Sequence, residues 1–294
     1  MRVLILGGDG MLGHQLLRSL SGEHEARVTL RREEAAYHEL GLFAAANGFF
    51  GVDLRDRDRL VDVFARFRPQ AVVNAAGVVK QRPEAKDSLT SIEINALLPH
   101  RLARLCAATG ARLVHVSTDC VFSGRKGSYR EADPPDPEDL YGRTKLLGEL
   151  HEAPALTLRS SIIGLEIGRR QGLVEWFLAS RGAGSGSIKG FRRAIYSGLT
   201  TAEMARVIGG LLVRHPDLSG LFHVASAPID KYSLLSQLAR AMDRDDLRIE
   251  PDDELACDRS LSAEAFRAAT GYVAPSWDEM LRELAAAIRE RKKA

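Results

Sequence analysis

The chain has 294 residues, of which 45% are hydrophobic and 27% charged, and its formal net charge is +2. This composition suits one large or two modest globular domains, and a charge so near zero gives no reason to expect nucleic acid or a membrane surface as a partner. Three cysteines, Cys106, Cys120 and Cys257, are an odd number without metal-ligand spacing, so neither a disulfide framework nor a bound metal is predicted. The sequence shows neither the long apolar stretch of a signal peptide nor a membrane span, and a reducing, cytoplasmic location is expected.

The first segment, MRVLILGGDGMLGHQLLRSL, predicts a strand, a glycine turn and an amphipathic helix. Its GxxGxxG spacing is a variant of the dinucleotide fingerprint in the strand-to-helix context that the fingerprint requires. Glycine lets the backbone approach a pyrophosphate, which the positive helix N-terminus then holds; the alternative is a glycine-rich loop without a ligand. The predicted cofactor-binding residues of this turn are Gly7, Gly10, Met11, Leu12 and Gly13. Asp9 is expected to face away from the phosphate.

The second strand, in EARVTLRREE, exits into Arg31 and Arg32. Arginine at this exit accommodates the 2′-phosphate of NADP, whereas a carboxylate would bind the ribose of NAD, so NADPH is the expected cofactor, with NADH as the alternative. Solvated surface arginines are the other interpretation. GFFGVDLRD predicts a third strand, whose Asp53 and Leu54 are placed to meet the adenine edge; Asp53 could instead cap the helix that starts near Arg55.

The fourth strand, in RPQAVVNAAGVV, ends in Asn74, Ala75, Ala76 and Gly77. Small side chains here would let the backbone lie close to the cofactor's ribose and diphosphate, although a packing role for the alanines is equally compatible. SIEINALLPHRLARLCAATG predicts the next helix. Because a buried asparagine needs partners, Asn95 on this helix is expected to tie adjacent loops together.

ARLVHVS predicts a buried parallel strand that ends in polar side chains, Ser117 to Cys120, at the sheet edge where ligands bind in open α/β folds. A polar loop follows, and its prolines forbid helix or central strand through Asp136. Asp136 or Asp139 can then cap a helix.

Tyr141 and Lys145 lie four residues apart on that helix, so both lie on one face. An ammonium beside a phenol is expected to lower the phenol's pKa, which gives a general acid or base usable near neutral pH. Thr118 on the strand opposite could donate a second hydrogen bond to the same substrate oxygen. For the pair alone, an ordinary amphipathic edge is an equally good interpretation.

The helix is expected to continue to about His151, and ALTLRSSIIG predicts another strand. Beyond it the sequence predicts a helix in QGLVEWFLAS, a helix capped by Thr200 or Thr201, a strand in GLFHVASAPI, a helix in KYSLLSQLARAM and a basic, solvent-facing final helix. The alternation predicts an α/β, Rossmann-type doubly wound parallel sheet with a smaller C-terminal substrate-binding part. The expected units are a cofactor domain over residues 1–163 and a mainly substrate-binding part over 164–294, with the strand near 220–226 returning to the core sheet.

The less regular segments after the sheet are where a substrate is expected to bind. Several of their cations are candidates for holding a diphosphate, although surface solvation explains any single one equally well. These cations are Lys189, Arg192, Arg193, Lys231 and Arg259. The full set of predicted substrate-binding residues is Lys80, Asp119, Cys120, Val121, Phe122, Trp176, Lys189, Arg193 and Lys231.

GGDGMLG, VVNAAG, STDCVFSG, YGRTK and LRSSIIG occur in this order along the chain. With this ordered set the sequence resembles the extended short-chain dehydrogenase/reductases, and within them the dTDP-4-dehydrorhamnose reductase group of sugar-nucleotide reductases. The resemblance covers nearly the whole length. It implies that Thr118 and Tyr141 hold the substrate carbonyl, that Lys145 binds the nicotinamide ribose, and that the glycine turn holds NAD(P)H.

The resemblance also implies a reaction. NADPH would reduce the C4 carbonyl of a 4-keto-6-deoxyhexose on a nucleoside diphosphate, in nucleotide-sugar and cell-surface polysaccharide biosynthesis, with Tyr141 as proton donor. The nucleotide sugar would lie between the sheet and the C-terminal part. A homodimer is a further expectation.

The sequence leaves three alternative functions. A 4,6-dehydratase is disfavoured because Cys120 stands where that pattern has an acidic residue. GDP-fucose synthase-like enzymes have a cysteine at this spacing, so Cys120 could serve an epimerase/reductase if a partner acid faced the other side of the sugar; a small packed cysteine is the alternative. Some relatives are non-catalytic, NADP-binding regulatory subunits, but the presence of Thr118, Tyr141 and Lys145 favours an enzyme.

Overall fold

The computed structural model describes residues 1–79, 87–168, 170–180 and 187–293. Lys80, one of the predicted substrate-binding residues, therefore lies outside the described residues. Within those ranges, every helix is too short or too polar to cross a lipid bilayer.

Fourteen strands and ten α-helices make up the described fold. The strands are β1 Arg2–Leu6, β2 Glu25–Thr29, β3 Gly48–Phe49, β4 Ala71–Asn74, β5 Arg112–Thr118, β6 Leu156–Ser160, β7 Ile162–Ile163, β8 Ser187–Phe191, β9 Ala194–Tyr196, β10 Leu199–Thr200, β11 Gly220–His223, β12 Ile229–Asp230, β13 Arg248–Asp252 and β14 Cys257–Asp258. The helices are α1 Met11–Leu20, α2 Arg57–Phe67, α3 Ser88–Ser91, α4 Leu98–Thr109, α5 Leu140–Leu147, α6 Leu173–Ala179, α7 Thr201–Arg214, α8 Lys231–Ala241, α9 Glu264–Thr270 and α10 Trp277–Lys293. Short 3₁₀ helices cover Glu34–Leu40 and Asp119–Val121, and a π-helical segment, Ile92–Leu97, joins α3 to α4.

Seven strands form one parallel sheet in the order β11-β6-β5-β4-β1-β2-β3. The direction of winding reverses between β1 and β4, which makes the carboxyl ends of these two strands the topological switch point. The predicted doubly wound α/β sheet is confirmed. Its switch point places the glycine turn after β1 beside the small residues after β4.

Alternating residues of the inner strands are buried on opposite faces of the sheet. Val3 and Ile5 of β1 belong to the core formed with α1, α7, α8 and α10, whereas Leu4 and Leu6 belong to the core formed with α2 and α4. Burial on both faces explains why these strands are continuous apolar runs.

Turn and cap residues decide where the helices begin and end. Asp139 caps α5 by accepting a hydrogen bond from the Gly142 N–H at 2.7 Å, whereas Asp136 accepts one from the Ser123 N–H at 2.8 Å. The prediction that α5 continues to about His151 is wrong, since the helix ends at Leu147. A Cβ on the following Gly148 would lie 2.0 Å from the backbone oxygen of Asn95, so the chain turns where two backbones meet.

The final helix, α10, is amphipathic rather than wholly solvent-facing. Met280, Leu281 and Ile288 are at most 1% exposed and pack into the larger core. The prediction that this helix faces solvent is therefore wrong for one of its faces. Burial of the apolar stripe, and not the net charge of the helix, determines how it packs.

The chain after residue 163 contributes to the main sheet as well as to smaller structures. β11 pairs in parallel with β6, and α7 packs on α1. The remaining strands form three small sheets, ordered β12-β9-β14, β13-β8 and β10-β7. The division at residue 163 stays a prediction.

Candidate active site

A cleft opens at the carboxyl ends of β1, β4, β5 and β6. It is bordered on one side by the glycine turn and on the other by α5 and the segment after β6. Its lining includes Gly10, Met11, Leu12, Ala75, Ala76, Gly77, Ser117, Thr118, Asp119, Cys120, Tyr141, Lys145, Ser160, Ser161, Glu166, Gly172, Tyr196 and Lys231. The sheet thus gathers residues from both halves of the sequence into one site.

Close backbone packing explains the glycines of the turn. Gly7 has a φ of +82°, a conformation that L side chains rarely adopt. A Cβ on Gly13 would lie 2.0 Å from the backbone oxygen of Gly7, and one on Gly7 would lie 3.0 Å from the Cα of Ala76. The turn after β1 and the loop after β4 therefore touch, and side chains would push them apart.

The N-terminus of α1 faces the cleft with its backbone donors free of side-chain caps. Gly10 is the N-cap and makes no side-chain cap, and the first turn contains no acidic residue. Such an N-terminus attracts an anion through its N–H groups and the positive end of its dipole. The carboxylate of Asp9 accepts a hydrogen bond from Tyr37 Oη at 3.1 Å. These features fit the pyrophosphate of a dinucleotide cofactor.

Two arginines follow β2 on the surface beside this turn. The Arg32 guanidinium lies 5.3 Å from the centroid of the Tyr37 ring, within the range of a cation-π contact. Asp53 is engaged by Arg55, whose Nη2 donates to it at 2.6 Å, and this hydrogen bond lowers the pKa of Asp53. The alternative role of Asp53 as a helix cap is wrong, because Asp56 caps α2. Asp53 and the adjoining Leu54 stay predicted cofactor residues.

The loop after β4 is held by two buried asparagines. Asn74 Nδ2 lies 3.1 Å from His115 Nδ1, and Asn74 Oδ1 accepts a hydrogen bond from the Ala76 N–H at 3.3 Å. Asn95 accepts from the Val78 N–H at 2.8 Å and donates to Thr144 Oγ1 at 3.2 Å. The prediction that Asn95 ties adjacent loops together is confirmed. The loop that contributes Ala75, Ala76 and Gly77 to the cleft is thereby fixed to α5.

Thr118 and Tyr141 meet in the cleft. Thr118 ends β5 and its Oγ1 accepts a hydrogen bond from the Cys120 N–H at 3.2 Å, which fixes the hydroxyl at the strand end. The phenol of Tyr141 lies near enough for a hydrogen bond with Thr118, which acts to lower the pKa of Tyr141. The Thr118 hydroxyl donates its proton to Asp119 Oδ1 at 3.1 Å, so it must turn from that carboxylate before it can donate to a substrate oxygen beside Tyr141.

The net shift of the Tyr141 pKa is upward, contrary to the expectation that Lys145 lowers it. Burial is the largest cause, and the neighbouring Cys120 and Asp119 raise the pKa of Tyr141 further. The shift makes the phenol harder to deprotonate, so Tyr141 suits a general acid better than a general base.

Lys145 is buried, with 4% of its surface exposed, and its Nζ donates to the backbone oxygen of Val116 at 2.6 Å. Burial lowers the pKa of Lys145 to about 8, although Glu149 acts to raise it. Loss of water around the ammonium outweighs the attraction of the carboxylate. The ammonium is therefore charged at neutral pH and loses its proton as the pH rises through about 8.

Polar groups at the other end of the cleft surround Asp119 and Cys120. Arg259 Nη1 lies 3.9 Å from Cys120 Sγ, and Lys231 Nζ lies 3.9 Å from the centroid of the Tyr196 ring. Burial raises the pKa of Asp119, while the charges of Arg259 and Lys231 act to lower it. Asp119, Cys120 and Lys231 line the cleft and Arg259 lies beside Cys120, so this part of the cleft offers polar and charged groups to sugar hydroxyls or a phosphate.

Other predicted substrate residues lie outside the cleft lining. Val121 and Phe122 are fully buried, and Phe122 stacks on Tyr129. Trp176 is 44% exposed on α6, and Lys189 is held by Asp252 at 2.7 Å on the β8-β13 sheet. Arg193 lies between β8 and β9, where its charge adds to the larger effect of the Arg192 hydrogen bond in lowering the pKa of Asp253.

Several residues of the site are not predicted from the sequence, among them Tyr196, Glu166 and Glu149. Tyr196 at the end of β9 and Glu166 in the segment after β7 reach the cleft by paths that only the tertiary fold determines. Glu149 is bonded to Ser117 Oγ at 2.7 Å directly beneath the cleft. Its position four residues after Lys145 was a usable signal, because that spacing favours an ion pair on a helix.

Comparison with known proteins places this geometry in context. A family model described as the RmlD substrate binding domain matches residues 1–290. A solved structure from Sulfolobus tokodaii, described as a hypothetical dTDP-4-dehydrorhamnose reductase, superposes with a TM-score of 0.75 and 28% identity over 95% of this chain and 98% of that one.

Two curated proteins represent the sequence relatives. The methionine adenosyltransferase 2 subunit beta of Danio rerio is 30% identical over 82% of this chain and 73% of its own length. The dTDP-4-dehydrorhamnose reductase of Burkholderia thailandensis is 34% identical over 51% of this chain and 45% of its own length. For the beta subunit of Bos taurus the match spans 41% of the relative's length.

Proposed function

Because this chain belongs to the family described as the RmlD substrate binding domain, we propose that it is an oxidoreductase that reduces a keto group of a nucleotide sugar with a nicotinamide cofactor. The observation that carries the proposal is the arrangement of the cleft. Thr118, Tyr141 and Lys145 line the same space as the glycine turn and the uncapped N-terminus of α1. A carbonyl oxygen between the two hydroxyls would lie beside the position where a dinucleotide fits.

The chemistry of the three side chains suggests which of them transfers the proton and which assist it. Tyr141 donates the proton of its Oη to the substrate oxygen; a phenol is protonated at neutral pH, and burial raises the pKa of Tyr141 further. Thr118 orients the same oxygen with a second hydrogen bond. Lys145, one turn along α5, favours the phenolate that the donation leaves behind. The cofactor, when bound, supplies the hydride.

The proposed substrate is a nucleoside-diphosphate 4-keto-6-deoxyhexose, in agreement with the names of the Burkholderia and Sulfolobus relatives. The polar groups around Asp119 and Lys231 support a sugar at that end of the cleft. The C-terminal part of the chain would hold the nucleotide. A homodimer in the cytoplasm stays a prediction.

A direct test is to mix the protein with NADPH, then add 4-keto nucleotide sugars and follow the absorbance of the reduced nicotinamide. We expect NADPH to bind and to be consumed in proportion to added ketone. Binding without consumption across a panel of dTDP-, GDP- and UDP-linked ketones would contradict the reductase proposal. It would favour a regulatory subunit, the class to which the Danio rerio relative's name assigns that protein.

The two arginines after β2 should set the choice of cofactor. Replacing both, as Arg31→Ala/Arg32→Ala, should weaken NADPH binding by at least about tenfold, since a charge-assisted hydrogen bond to a phosphate is worth about 1.5–3 kcal/mol. NADH binding should stay within about twofold, because that cofactor has no phosphate there. Titration of the reduced nicotinamide's fluorescence measures both affinities.

Arg282→Ala provides the control for these arginines, since it removes an exposed arginine of α10. It should change neither affinity. Equal losses for NADPH and NADH in the double variant would show that the two arginines do not recognise the 2′-phosphate.

An epimerase role for Cys120 is the weaker candidate. Its thiol lines the cleft near Arg259, but epimerisation also needs an acid on the opposite face of the sugar. Among the described residues that line the cleft there is no histidine, the residue type that this mechanism would use. Reduction alone needs only the groups that the cleft contains.

A further inference from the structure

A buried strip of polar side chains runs beneath α5 on one face of the sheet. Arg159 of β6 donates to Glu149 from Nε at 2.8 Å and from Nη2 at 2.7 Å, and Ser117 Oγ of β5 donates to the same carboxylate at 2.7 Å. Arg159 Nη1 also lies 3.2 Å from His223 Nε2 on β11. The Glu149 and Arg159 side chains are 0% and 3% exposed.

The side chains of Lys145 and Glu149 are hydrogen-bonded to consecutive residues of β5, Val116 and Ser117. The Lys145 ammonium donates to the backbone oxygen of Val116, and the Glu149 carboxylate accepts from the side chain of Ser117. Both side chains come from α5 or the residues just after it, four positions apart. Bonds to Ser117 and Arg159 therefore fix the Glu149 carboxylate on the strand residue that follows the one holding the ammonium, close enough for its charge to act on Lys145.

We propose that Glu149 is a positioning residue for Lys145: its carboxylate, held by Arg159 and Ser117, supplies the negative charge that keeps the buried ammonium charged beside the catalytic tyrosine. This proposal rests on the proposed function and deepens it, because there a charged Lys145 stabilises the phenolate that Tyr141 becomes when it donates its proton. A buried ion pair is not needed for stability alone, since apolar pairs of similar volume often serve as well.

Among the groups around Lys145, Glu149 supplies the negative charge that raises the pKa of the ammonium. Glu149 and His115 interact electrostatically with Lys145, and Asp119 and Tyr141 line the cleft with it. Farther out, Arg159 of β6 is bonded to Glu149 and lies beside His223 of β11, and His100 of α4 acts on His115. Burial lowers the pKa of His115 and His223 and raises that of Tyr141, so these three are neutral near pH 7. Glu149 is the charge that raises the pKa of Lys145 against burial.

The two partners of the buried pair should shift Lys145 in opposite directions. Glu149→Gln should lower the Lys145 titration midpoint from about 8 by at least about one pH unit, which corresponds to a tenfold change in the charged-to-neutral ratio. Arg159→Met should raise the midpoint, because the positive charge of Arg159 would no longer offset the negative charge of Glu149 at Lys145. A merely structural role would not produce opposite shifts.

The measurement is a pH titration of lysine labelled with ¹³C at Cε, followed by NMR in the free protein, with the Lys145 signal assigned by its loss in Lys145→Arg. It requires neither cofactor nor substrate. It can therefore succeed even if the protein proves to reduce no keto sugar, and in that case only the proposed function fails. In an active enzyme, the alkaline limb of kcat/KM should move with the NMR midpoint.

Two further variants complete the test, the first to avoid a lone buried charge and the second as a control at another ion pair. Glu149→Gln/Arg159→Met removes both charges at once, avoids a lone buried charge, and should still lower the midpoint. Glu175→Gln breaks a second buried pair, whose carboxylate accepts from Arg291 at 2.5 Å and 3.0 Å, and should leave the Lys145 midpoint unchanged. Unchanged midpoints in the folded Glu149 variants, or a downward shift in Arg159→Met, would overturn the proposal.

Discussion

Tyr141→Phe should lower the turnover of the ketone by at least about a hundredfold, the usual contribution of a positioned general acid. The substitution removes one oxygen from the cleft and leaves the ring in place on α5. Binding of NADPH should survive, because the glycine turn and the arginines after β2 are untouched. The loss should therefore fall on kcat rather than on cofactor affinity.

Stopped-flow or steady-state absorbance of the reduced nicotinamide checks turnover, and fluorescence titration checks binding. Tyr232→Phe is the matched control, since Tyr232 lies on α8 outside the cleft lining, and it should leave kcat unchanged. Turnover near that of the unmodified protein in Tyr141→Phe would remove Tyr141 from the mechanism.

Gly13→Ala should weaken cofactor binding by about ten- to a hundredfold, the equivalent of the 1–3 kcal/mol that overpacking usually costs. The added Cβ would lie 2.0 Å from the backbone oxygen of Gly7, so the turn must open before α1 can follow it. The same displacement should lower the free energy of unfolding. Fluorescence titration with NADPH and urea denaturation measure the two effects.

Gly22→Ala is the control for this prediction. A Cβ at Gly22 has no neighbour within 4 Å, so it should change neither cofactor affinity nor, beyond the ordinary glycine-to-alanine effect, stability. If Gly13→Ala bound NADPH as tightly as the unmodified protein, the glycine turn would not be the pyrophosphate site.

Local sequence patterns predicted the structure correctly where one physical cause determines it. The alternation of apolar strands and helices predicted the parallel sheet, and the ordered motifs predicted the family, both of which are confirmed. Asp139 and Thr200 were among the predicted caps because an acceptor side chain before a helix has one evident use.

The predictions that failed depend on the surroundings of a residue. The pKa of Tyr141 was expected to fall because Lys145 is four residues away, yet burial and acidic neighbours from other segments raise it. The ammonium instead bonds to the Val116 carbonyl, a contact that only the packing of α5 on β5 creates. Tyr196 and Glu166 were missed for the same reason, since tertiary packing brings them to the cleft.

The pairing of β11 with β6 has a consequence for how the protein forms. Every residue of β6 is buried, and its outer hydrogen-bonding edge is occupied by residues more than sixty positions later in the chain. During synthesis, the backbone groups on this edge of β6 have no strand partner until Gly220–His223 leaves the ribosome. An unpaired strand edge can form hydrogen bonds with other chains. A fragment ending at residue 163 would keep that edge permanently and should aggregate, so the part of the chain that contains Thr118, Tyr141 and Lys145 should need its distant C-terminal segment to stay soluble.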